Sequence, residues 1–287
     1  MRRVIWAVCA ALVLAGGCAK SPVGKAAVTM KALADGTLQE YSLSLPPEPD
    51  LIKGSNRLVF ALLNKQQSFV PNRNLEIFFG REKDGPAAGP VRVVFEDDGL
   101  GDRAFYRANI TFPMPGRYLL LAAENSGGKR RGAGTEVTVK ESSSLLRAGD
   151  KAISIATPTQ ADHNGLADIC TRDPEDPMHD LSLDFALKNG KPTVVVFATP
   201  ALCASRVCGP VVDQVLRVRE AFVDRANFIH VEVFTDNTGK DLTAGMKAWS
   251  LLTEPWTFVI DTKGVIRGRF EGPVTTTEIK TALGEVL

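Results

Sequence analysis

A buried strand, two cysteines and an amphipathic helix follow one another between residues 194 and 222. The apolar run 194–197 predicts the strand. Apolar residues then recur at three- and four-residue steps over 211–222, which predicts a helix with one face against a sheet. Cys203 and Cys208 lie at the junction, beside the unpaired N–H groups and the positive end of the helix dipole, and both features favour thiolate over thiol. Two cysteines at this position therefore predict reversible disulfide chemistry.

The alternation of strands and helices extends on both sides of this junction. In chain order the pattern predicts a short helix 182–187, strand 194–197, helix 208–224, strand 228–234, helix 241–250, a hairpin of strands 256–260 and 265–270, and helix 275–286. In Cys208-Gly-Pro210 the proline suits a first helical turn, because the N–H that it lacks would have no partner there. Glu254-Pro255 directly precedes a central apolar strand.

These features resemble the thioredoxin fold over residues 150–287. The β-α-β-α-β-β-α order is that of the family, and Cys208-Gly-Pro210 is similar to the first three residues of the thioredoxin CGPC motif. Pro255 stands where thioredoxins place a cis-proline facing the active cysteine, which exposes the preceding backbone for substrate pairing. The alternative for Pro255 is a proline that only begins a strand.

The sequence departs from thioredoxin at Val211, which occupies the position of the second motif cysteine. Cys203 is then the partner of Cys208 in a C-x4-C spacing, and Arg206 beside Cys208 is expected to lower its pKa. The copper-chaperone branch of the superfamily uses a C-x3-C pair with a distant histidine. Peroxiredoxins place serine or threonine three residues before the reactive cysteine, as Ser205 stands here. The spacing leaves open which cysteine attacks and whether the disulfide is only structural.

Three residues outside the motif also bear on the site. His179, in an acidic and proline-containing segment before the short helix, is a candidate to complete a copper or zinc site with Cys203 and Cys208. His230 lies within an apolar strand and is expected to be a hydrogen-bonded core residue. Cys170 is expected to be a small apolar filler, with a third redox thiol as the alternative.

The first residues predict export. Two arginines, an apolar run over 4–14 and small residues before Cys18 are typical of a secretory signal. The segment resembles the bacterial lipoprotein lipobox, whose cysteine is lipidated. That resemblance implies a signal peptide 1–17, lipidation at Cys18, a tether 18–37 and anchoring to the cell membrane on its extracytoplasmic side, where disulfides are permitted. The chain has a net charge of +1, which gives it no attraction to nucleic acid.

Residues 38–142 show short strands separated by turns. The strand candidates are 58–63, 75–79, 91–95, 105–112, 118–123 and 135–139, with proline and glycine between them. Their order resembles the immunoglobulin-like domains of bacterial copper-resistance and related periplasmic proteins, and Pro115-Gly-Arg-Tyr-Leu119 is similar to the PGRW hairpin of those domains. The segment has no cluster of histidine, methionine and cysteine, so we expect a spacer or docking module.

The chain is thus predicted to have two domains, an all-β immunoglobulin-like sandwich at 38–142 followed by an α/β thioredoxin-like fold at 150–287. The favoured function is a membrane-anchored thiol-disulfide oxidoreductase, without a cofactor, that acts on protein thiols or disulfides of the cell envelope. The alternative is a Cu(I)-binding chaperone or docking protein on the same scaffold, and a thiol peroxidase is the third hypothesis. The predicted catalytic residues are Cys203, Cys208, Arg206 and Pro255, and the alternative metal ligands are Cys203, Cys208 and His179.

Overall fold

A computed structural model of the chain describes residues 28–71, 73–98, 100 and 103–287. The predicted signal peptide 1–17 and the lipidation site Cys18 lie outside these residues. No helix among the described residues is both long enough and apolar enough to cross a membrane.

Eight strands make up the first part of the chain. They are β1 (Thr37–Gln39), β2 (Ser42–Ser44), β3 (Gly54–Leu63), β4 (Glu76–Gly80), β5 (Ala88–Glu96), β6 (Phe105–Phe112), β7 (Gly116–Ser126) and β8 (Lys129–Val139). Hydrogen bonds join them in the order β1-β8-β7-β4-β5-β6-β3-β2. β2 and β8 lie near opposite ends of that order yet contact each other, so the sheet folds into two layers around one core. We call this part the sandwich.

Alternation of side chains along each strand fills the core of the sandwich. In β6, Tyr106, Ala108, Ile110 and Phe112 point inward and are buried. The Tyr106 hydroxyl donates to the backbone oxygen of Val70 at 2.8 Å, which satisfies its one buried polar atom. Each of the six strand segments predicted from the sequence overlaps an observed strand, although β8 begins well before the predicted residue 135.

Part of the predicted tether belongs to the sandwich instead. Helix α1 (Met30–Asp35) begins after Thr29, whose hydroxyl accepts the N–H of Ala32 at 3.1 Å and caps the helix. Met30 and Leu33 are buried against Leu121 of β7. The expectation that a tether extends to residue 37 is therefore wrong, because two apolar side chains in one helical turn are enough to hold this segment on the sheet.

The C-terminal unit alternates helices and strands. Its elements are α2 (Leu183–Ala186), β9 (Thr193–Phe197), α3 (Cys208–Phe222), β10 (Asn227–Val231), α4 (Ala244–Ala248), β11 (Trp256–Ile260), β12 (Ile266–Glu271) and α5 (Thr276–Gly284). The sheet has the order β10-β9-β11-β12, with β10 parallel to β9 and β11 antiparallel to both of its neighbours. The sheet is buried on both faces, with α3 and α5 on one and α2 and α4 on the other. A parallel pair joined by a helical crossover places the start of α3 at the carboxyl end of β9.

Charged side chains hold the C-terminal unit against the sandwich. The carboxylate of Asp50, whose side chain is 4% exposed, accepts hydrogen bonds from Arg269 at 2.6 Å and Arg147 at 3.3 Å. Ser143 donates to the same oxygen at 2.6 Å. Two arginines of the C-terminal part thus share one buried carboxylate of the sandwich, which fixes how the two parts meet.

Candidate redox site

Cys203 and Cys208 form a disulfide, with Cα atoms 6.0 Å apart. Cys208 is the first residue of α3 and is fully buried, whereas Cys203 lies in the preceding loop and is 7% exposed. The structure therefore joins the two cysteines that the sequence places at the start of this helix. Cys203 is thus the less buried of the two cysteines.

A tight turn brings the two cysteines together. The N–H of Arg206 donates to the backbone oxygen of Cys203 at 3.0 Å, and Arg206 itself adopts a left-handed conformation with φ of 57°. The Ser205 hydroxyl lies 3.2 Å from the sulfur of Cys203. Val207, the N-cap residue of α3, caps the helix with no side-chain hydrogen bond. Arg206 is exposed, so the surrounding solvent weakens the electrostatic effect of its charge on the buried Cys208.

Glu254 lies beside the disulfide, and Pro255 follows it in the chain. The Glu254–Pro255 peptide bond is cis, as the resemblance to thioredoxin implies. A carboxylate oxygen of Glu254 and the two cysteine sulfurs all lie within 4.8 Å of one another. The other contact of this carboxylate is with the loop itself, since Oε2 accepts the N–H of Thr199 at 2.8 Å. Sequence reasoning used Glu254 only to locate the proline and missed it as a functional group.

The environment of Glu254 changes its acidity. Burial raises the pKa of its carboxyl to about 7, with the negative charge of Glu232 adding to the effect, although the Thr199 N–H and the charge of His230 oppose it. A carboxyl that titrates near neutral pH beside a disulfide can take a proton from an entering thiol or return one to a leaving thiolate. No pattern in the sequence indicates this, because the shift depends on neighbours distant in the chain.

A groove runs along this site between the sandwich and the C-terminal unit. It encloses about 290 Å³. Ser205, Val207, Glu254 and Pro255 line one side, and residues of the sandwich, among them Phe60 and Phe105, line the other. The sandwich thus forms one wall of a groove whose other wall contains neighbours of the disulfide, a role that its sequence did not predict.

His179 lies in a second cluster, away from the disulfide. Cys170, Asp176, His179 and His230 are all buried, and one ligand atom from each lies within 4.8 Å of the others. The expected grouping of His179 with Cys203 and Cys208 is therefore wrong: the third residue near that pair is Glu254. Cys170 is buried as expected of a filler and His230 is a hydrogen-bonded core residue, but each also belongs to this polar cluster.

The charges of this cluster depend on one another. Burial alone would raise the pKa of Cys170, but the nearby rings of His179 and His230 outweigh burial and bring the pKa to about 7. Burial alone would lower the pKa of His230, but its hydrogen bond with Asp176 and the nearby sulfur of Cys170 raise it above the usual value. Asp176, in turn, has its pKa held well below the ordinary range by the two histidines, against the opposing effect of burial.

Comparisons with known proteins give partial structural matches. No family model matches the sequence, and no curated protein matches it either. The chain is similar to a protein assigned as thiol:disulfide interchange protein DsbE from Chlorobium tepidum, with 15% identity over 48% of this chain and 99% of that chain and a TM-score of 0.35. It is also similar to StoA from Bacillus subtilis, with 20% identity over 40% of this chain and 94% of that chain and a TM-score of 0.30. The Lin-41 filamin domain shows 14% identity over 37% of this chain and 98% of that domain, with a TM-score of 0.25.

These similarities fall into the two classes that the sequence resembles. Thioredoxin-like proteins cover about half of the chain, and domains of the filamin and immunoglobulin-like type are the second class. With TM-scores at or below 0.35, such similarities carry no functional weight by themselves. The chemistry of the site must therefore be inferred from its own side chains.

Proposed function

We propose that this protein is a thioredoxin-like thiol-disulfide oxidoreductase that uses the Cys203–Cys208 pair in its C-x4-C spacing. One observation carries the proposal: a disulfide closes on the first residue of α3, and two neighbours of its sulfurs, Ser205 and Glu254, line an open groove. A purely structural disulfide has no need of a neighbouring carboxyl that titrates near neutral pH. Glu254 supplies one here.

The geometry favours Cys203 as the point of entry. A substrate thiolate attacks the Cys203 sulfur, the Cys203–Cys208 bond breaks, and Cys208 leaves as a thiolate at the N-terminus of α3, where the helix dipole and unpaired N–H groups stabilise it. A second substrate thiolate then attacks the substrate sulfur of the mixed disulfide and releases Cys203. The substrate leaves as a disulfide, and its two electrons and two protons remain on the two cysteines. Reduction of a substrate follows the same steps in reverse.

Glu254 has a proton-transfer role in this cycle. It is close enough to both sulfurs to exchange a proton with either, directly or through one water molecule. We assign no proton-transfer role to Pro255 or to Arg206. Pro255 lines the groove beside Glu254, where it presents the backbone of residue 254 to a substrate. Arg206 is exposed and belongs to the rim of the site.

The proposed substrates are protein thiols or disulfides of the cell envelope. Export and lipidation at Cys18 are part of the same proposal and rest on the N-terminal sequence. Expression of the full chain in a bacterium with a lipoprotein pathway, followed by membrane fractionation, tests this part. The wild type should sediment with membranes and Cys18→Ser should not. Equal distribution of the two would contradict the anchor.

A redox titration of the purified chain tests the chemistry. The protein is equilibrated in glutathione buffers of graded potential, and free thiols are counted by alkylation and mass spectrometry. Cys203 and Cys208 should appear together as one two-electron couple. Cys170→Ala is the control: the two-electron couple should still appear in this variant, because Cys170 is not one of the two bonded cysteines.

Trapping of the mixed disulfide tests the order of attack. Cys208→Ser leaves Cys203 without its resolving partner, so this variant should accumulate a mixed disulfide with glutathione at Cys203. Cys203→Ser should accumulate far less, because Cys208 is buried. A disulfide that resists reduction throughout the titration would make the pair structural and overturn the proposed function.

A further inference from the structure

The buried cluster of Cys170, Asp176, His179 and His230 brings four potential metal ligands to one point. The Oδ2 atom of Asp176 lies at its centre, 2.8 Å from Nδ1 of His230, 3.3 Å from the sulfur of Cys170 and 3.6 Å from Nε2 of His179. Ligand atoms around a tetrahedral zinc ion are roughly 3.3 to 3.6 Å apart, given its bond lengths to sulfur and nitrogen. Shifts of about an ångström or less would therefore convert this arrangement into a coordination shell.

One atom of the cluster has no hydrogen-bond partner. The Nε2 atom of His179 is buried and unpaired, in a side chain that is 1% exposed, and it points toward Asp176. A buried nitrogen without a hydrogen bond is unfavourable unless a ligand binds it. A cavity of about 10 Å³ adjoins His179 and His230. The unpartnered nitrogen, aimed at the carboxylate of Asp176, is the second observation that points to a ligand at this cluster.

Outer contacts already orient the ligands. Nε2 of His230 lies 2.9 Å from the backbone oxygen of Ala198, and since a carbonyl can only accept, this nitrogen carries a proton and Nδ1 is the one available to a metal. Oδ1 of Asp176 accepts the N–H of Met178 at 3.0 Å, which turns Oδ2 into the cluster. Metal-bound histidines and carboxylates are held by such partners in proteins.

The donor set selects among metals. One thiolate, one carboxylate and two neutral imidazoles carry a charge of −2, which a divalent cation neutralises in a buried site. Cu(I) favours sulfur ligands over carboxylates, whereas zinc accepts sulfur, nitrogen and oxygen together in a tetrahedral shell. We propose that Cys170, Asp176, His179 and His230 bind one Zn²⁺ ion as a structural site distinct from the disulfide. As the ion binds, the thiol proton of Cys170 and any proton on Nε2 of His179 or Nδ1 of His230 pass to solvent, so that both imidazoles bind as neutral ligands.

A metal bound at this site would stabilise the loop that carries Cys203. Thr171, next to Cys170, has a hydroxyl that accepts the N–H of Ala201 at 3.2 Å and lies 3.4 Å from the hydroxyl of Thr199. Residues 199–201 lead directly into Cys203. A metal that fixes residue 170 therefore also fixes the start of the redox loop.

Zinc titration of the full chain tests the proposal. The background carries Cys9→Ser and Cys18→Ser, and the Cys203–Cys208 pair is kept as a disulfide, so that Cys170 is the only thiol. Zn²⁺ is added against a chromophoric chelator. We expect one equivalent to bind. Cys170→Ser and His230→Ala should each reduce the affinity by more than about 100-fold, because removal of a residue that only hydrogen bonds to a metal ligand reduces affinity by no more than about that factor. His163→Ala is the matched histidine control and should bind as the parent does.

Two further measurements keep the test decisive. Co²⁺ in place of Zn²⁺ should give a thiolate-to-metal charge-transfer absorption in the parent protein, which needs no variant that could fail to fold. Cys203→Ser/Cys208→Ser should lose disulfide exchange yet still bind one Zn²⁺, which separates this proposal from the proposed function. The zinc site is overturned if the parent stays metal-free, if Co²⁺ binds without the thiolate band, or if binding survives Cys170→Ser.

Discussion

Arg57 of the sandwich and Glu278 of the C-terminal unit form a two-point ion pair across the interface. Nε of Arg57 donates to Oε1 of Glu278 at 2.7 Å, and Nη2 donates to Oε2 at 2.9 Å. The two side chains are 15% and 13% exposed. Glu278 also closes the capping box of α5, in which its carboxylate accepts the N–H of Thr275 at 3.2 Å. One carboxylate thus fixes both the start of a helix and the contact between the two parts of the chain.

Loss of Arg57 should destabilise the whole chain. Its guanidinium also donates to the backbone oxygens of Glu271 and Pro273, at 3.1 and 2.6 Å, so Arg57→Ala removes several hydrogen bonds to partly buried acceptors. We expect a loss of about 1.5–3 kcal/mol in the free energy of unfolding, measured by urea denaturation. Arg57→Lys should recover only part of it, because an ammonium cannot make the planar two-point contact.

An exposed arginine–glutamate pair provides the control for Arg57. Arg117 and Glu136 pair within the sandwich with side chains 76% and 53% exposed. Arg117→Ala should change the free energy of unfolding by no more than about 1 kcal/mol. Equal losses for Arg57→Ala and Arg117→Ala would show that the interface pair contributes nothing beyond an ordinary surface contact.

The same pair should make stability depend on acid pH. Burial alone would raise the pKa of Glu278, but the hydrogen bonds and charge of Arg57, with smaller effects of Thr275 and Arg107, hold it below the usual 4.5. Because the folded pKa lies below the unfolded one, this stabilisation is complete above pH 4.5 and is lost as the pH falls through the folded value. Urea midpoints measured between about pH 6 and pH 3 should fall less for Glu278→Gln than for the wild type. Parallel curves for the two proteins would contradict the assignment.

The sequence was informative where the signal is local. Alternation of apolar residues marked β6, three- and four-residue steps marked α3, and the position of Cys208 at the start of that helix placed it beside Cys203. These features depend on neighbours a few residues away, so composition and spacing carry them. The short α1 was missed because six residues give too little periodicity to detect.

Features that depend on tertiary contacts were not visible in the sequence. His230 comes from β10 and Cys170 from a loop sixty residues earlier, and only the folded chain brings them to Asp176. The raised pKa of Glu254 likewise results from burial and from Glu232, which lies on a different segment. Residue type alone cannot distinguish a histidine in a ligand cluster from one that fills a core. For this reason the grouping of His179 with Cys203 and Cys208, inferred from the sequence, was wrong.

Two glycines of β8 should respond very differently to substitution by alanine. A Cβ atom at Gly132 would lie 2.2 Å from the backbone oxygen of Ala122 and 2.8 Å from Cα of Ala123, whereas at Gly134 the nearest atom is the oxygen of Leu120 at 3.4 Å. Gly132→Ala should therefore force the β7–β8 pair apart and cost about 1–3 kcal/mol in the free energy of unfolding. Gly134→Ala, on the exposed face of the same strand, should cost no more than about 0.5 kcal/mol. Similar urea midpoints for both variants would mean that β7 and β8 do not approach as closely as described.

Glu254→Gln should reveal the cost of a buried charge at the redox site. Because burial raises the folded pKa of Glu254 to about 7 from 4.5, the folded protein retains a proton that the unfolded chain releases, and stability falls as the pH rises between these values. Glutamine keeps the acceptor for the Thr199 N–H without the charge. The free energy of unfolding of the variant should equal that of the wild type near pH 4 and exceed it near pH 8 by about 1–2 kcal/mol. This difference is smaller than the whole pKa shift would give, because the carboxyl is partly exposed.

The pH profile of thiol exchange provides the functional counterpart for Glu254. If this carboxyl moves the proton between substrate and cysteines, the wild-type rate with a small dithiol should change slope near pH 7, and Glu254→Gln should lose that inflection while keeping the disulfide. Glu141→Gln, at an exposed glutamate paired with Lys53, controls for the loss of one negative charge and should leave both the profile and the stability unchanged. An inflection that persists in Glu254→Gln would assign it to another group, and the carboxyl would then act on stability alone.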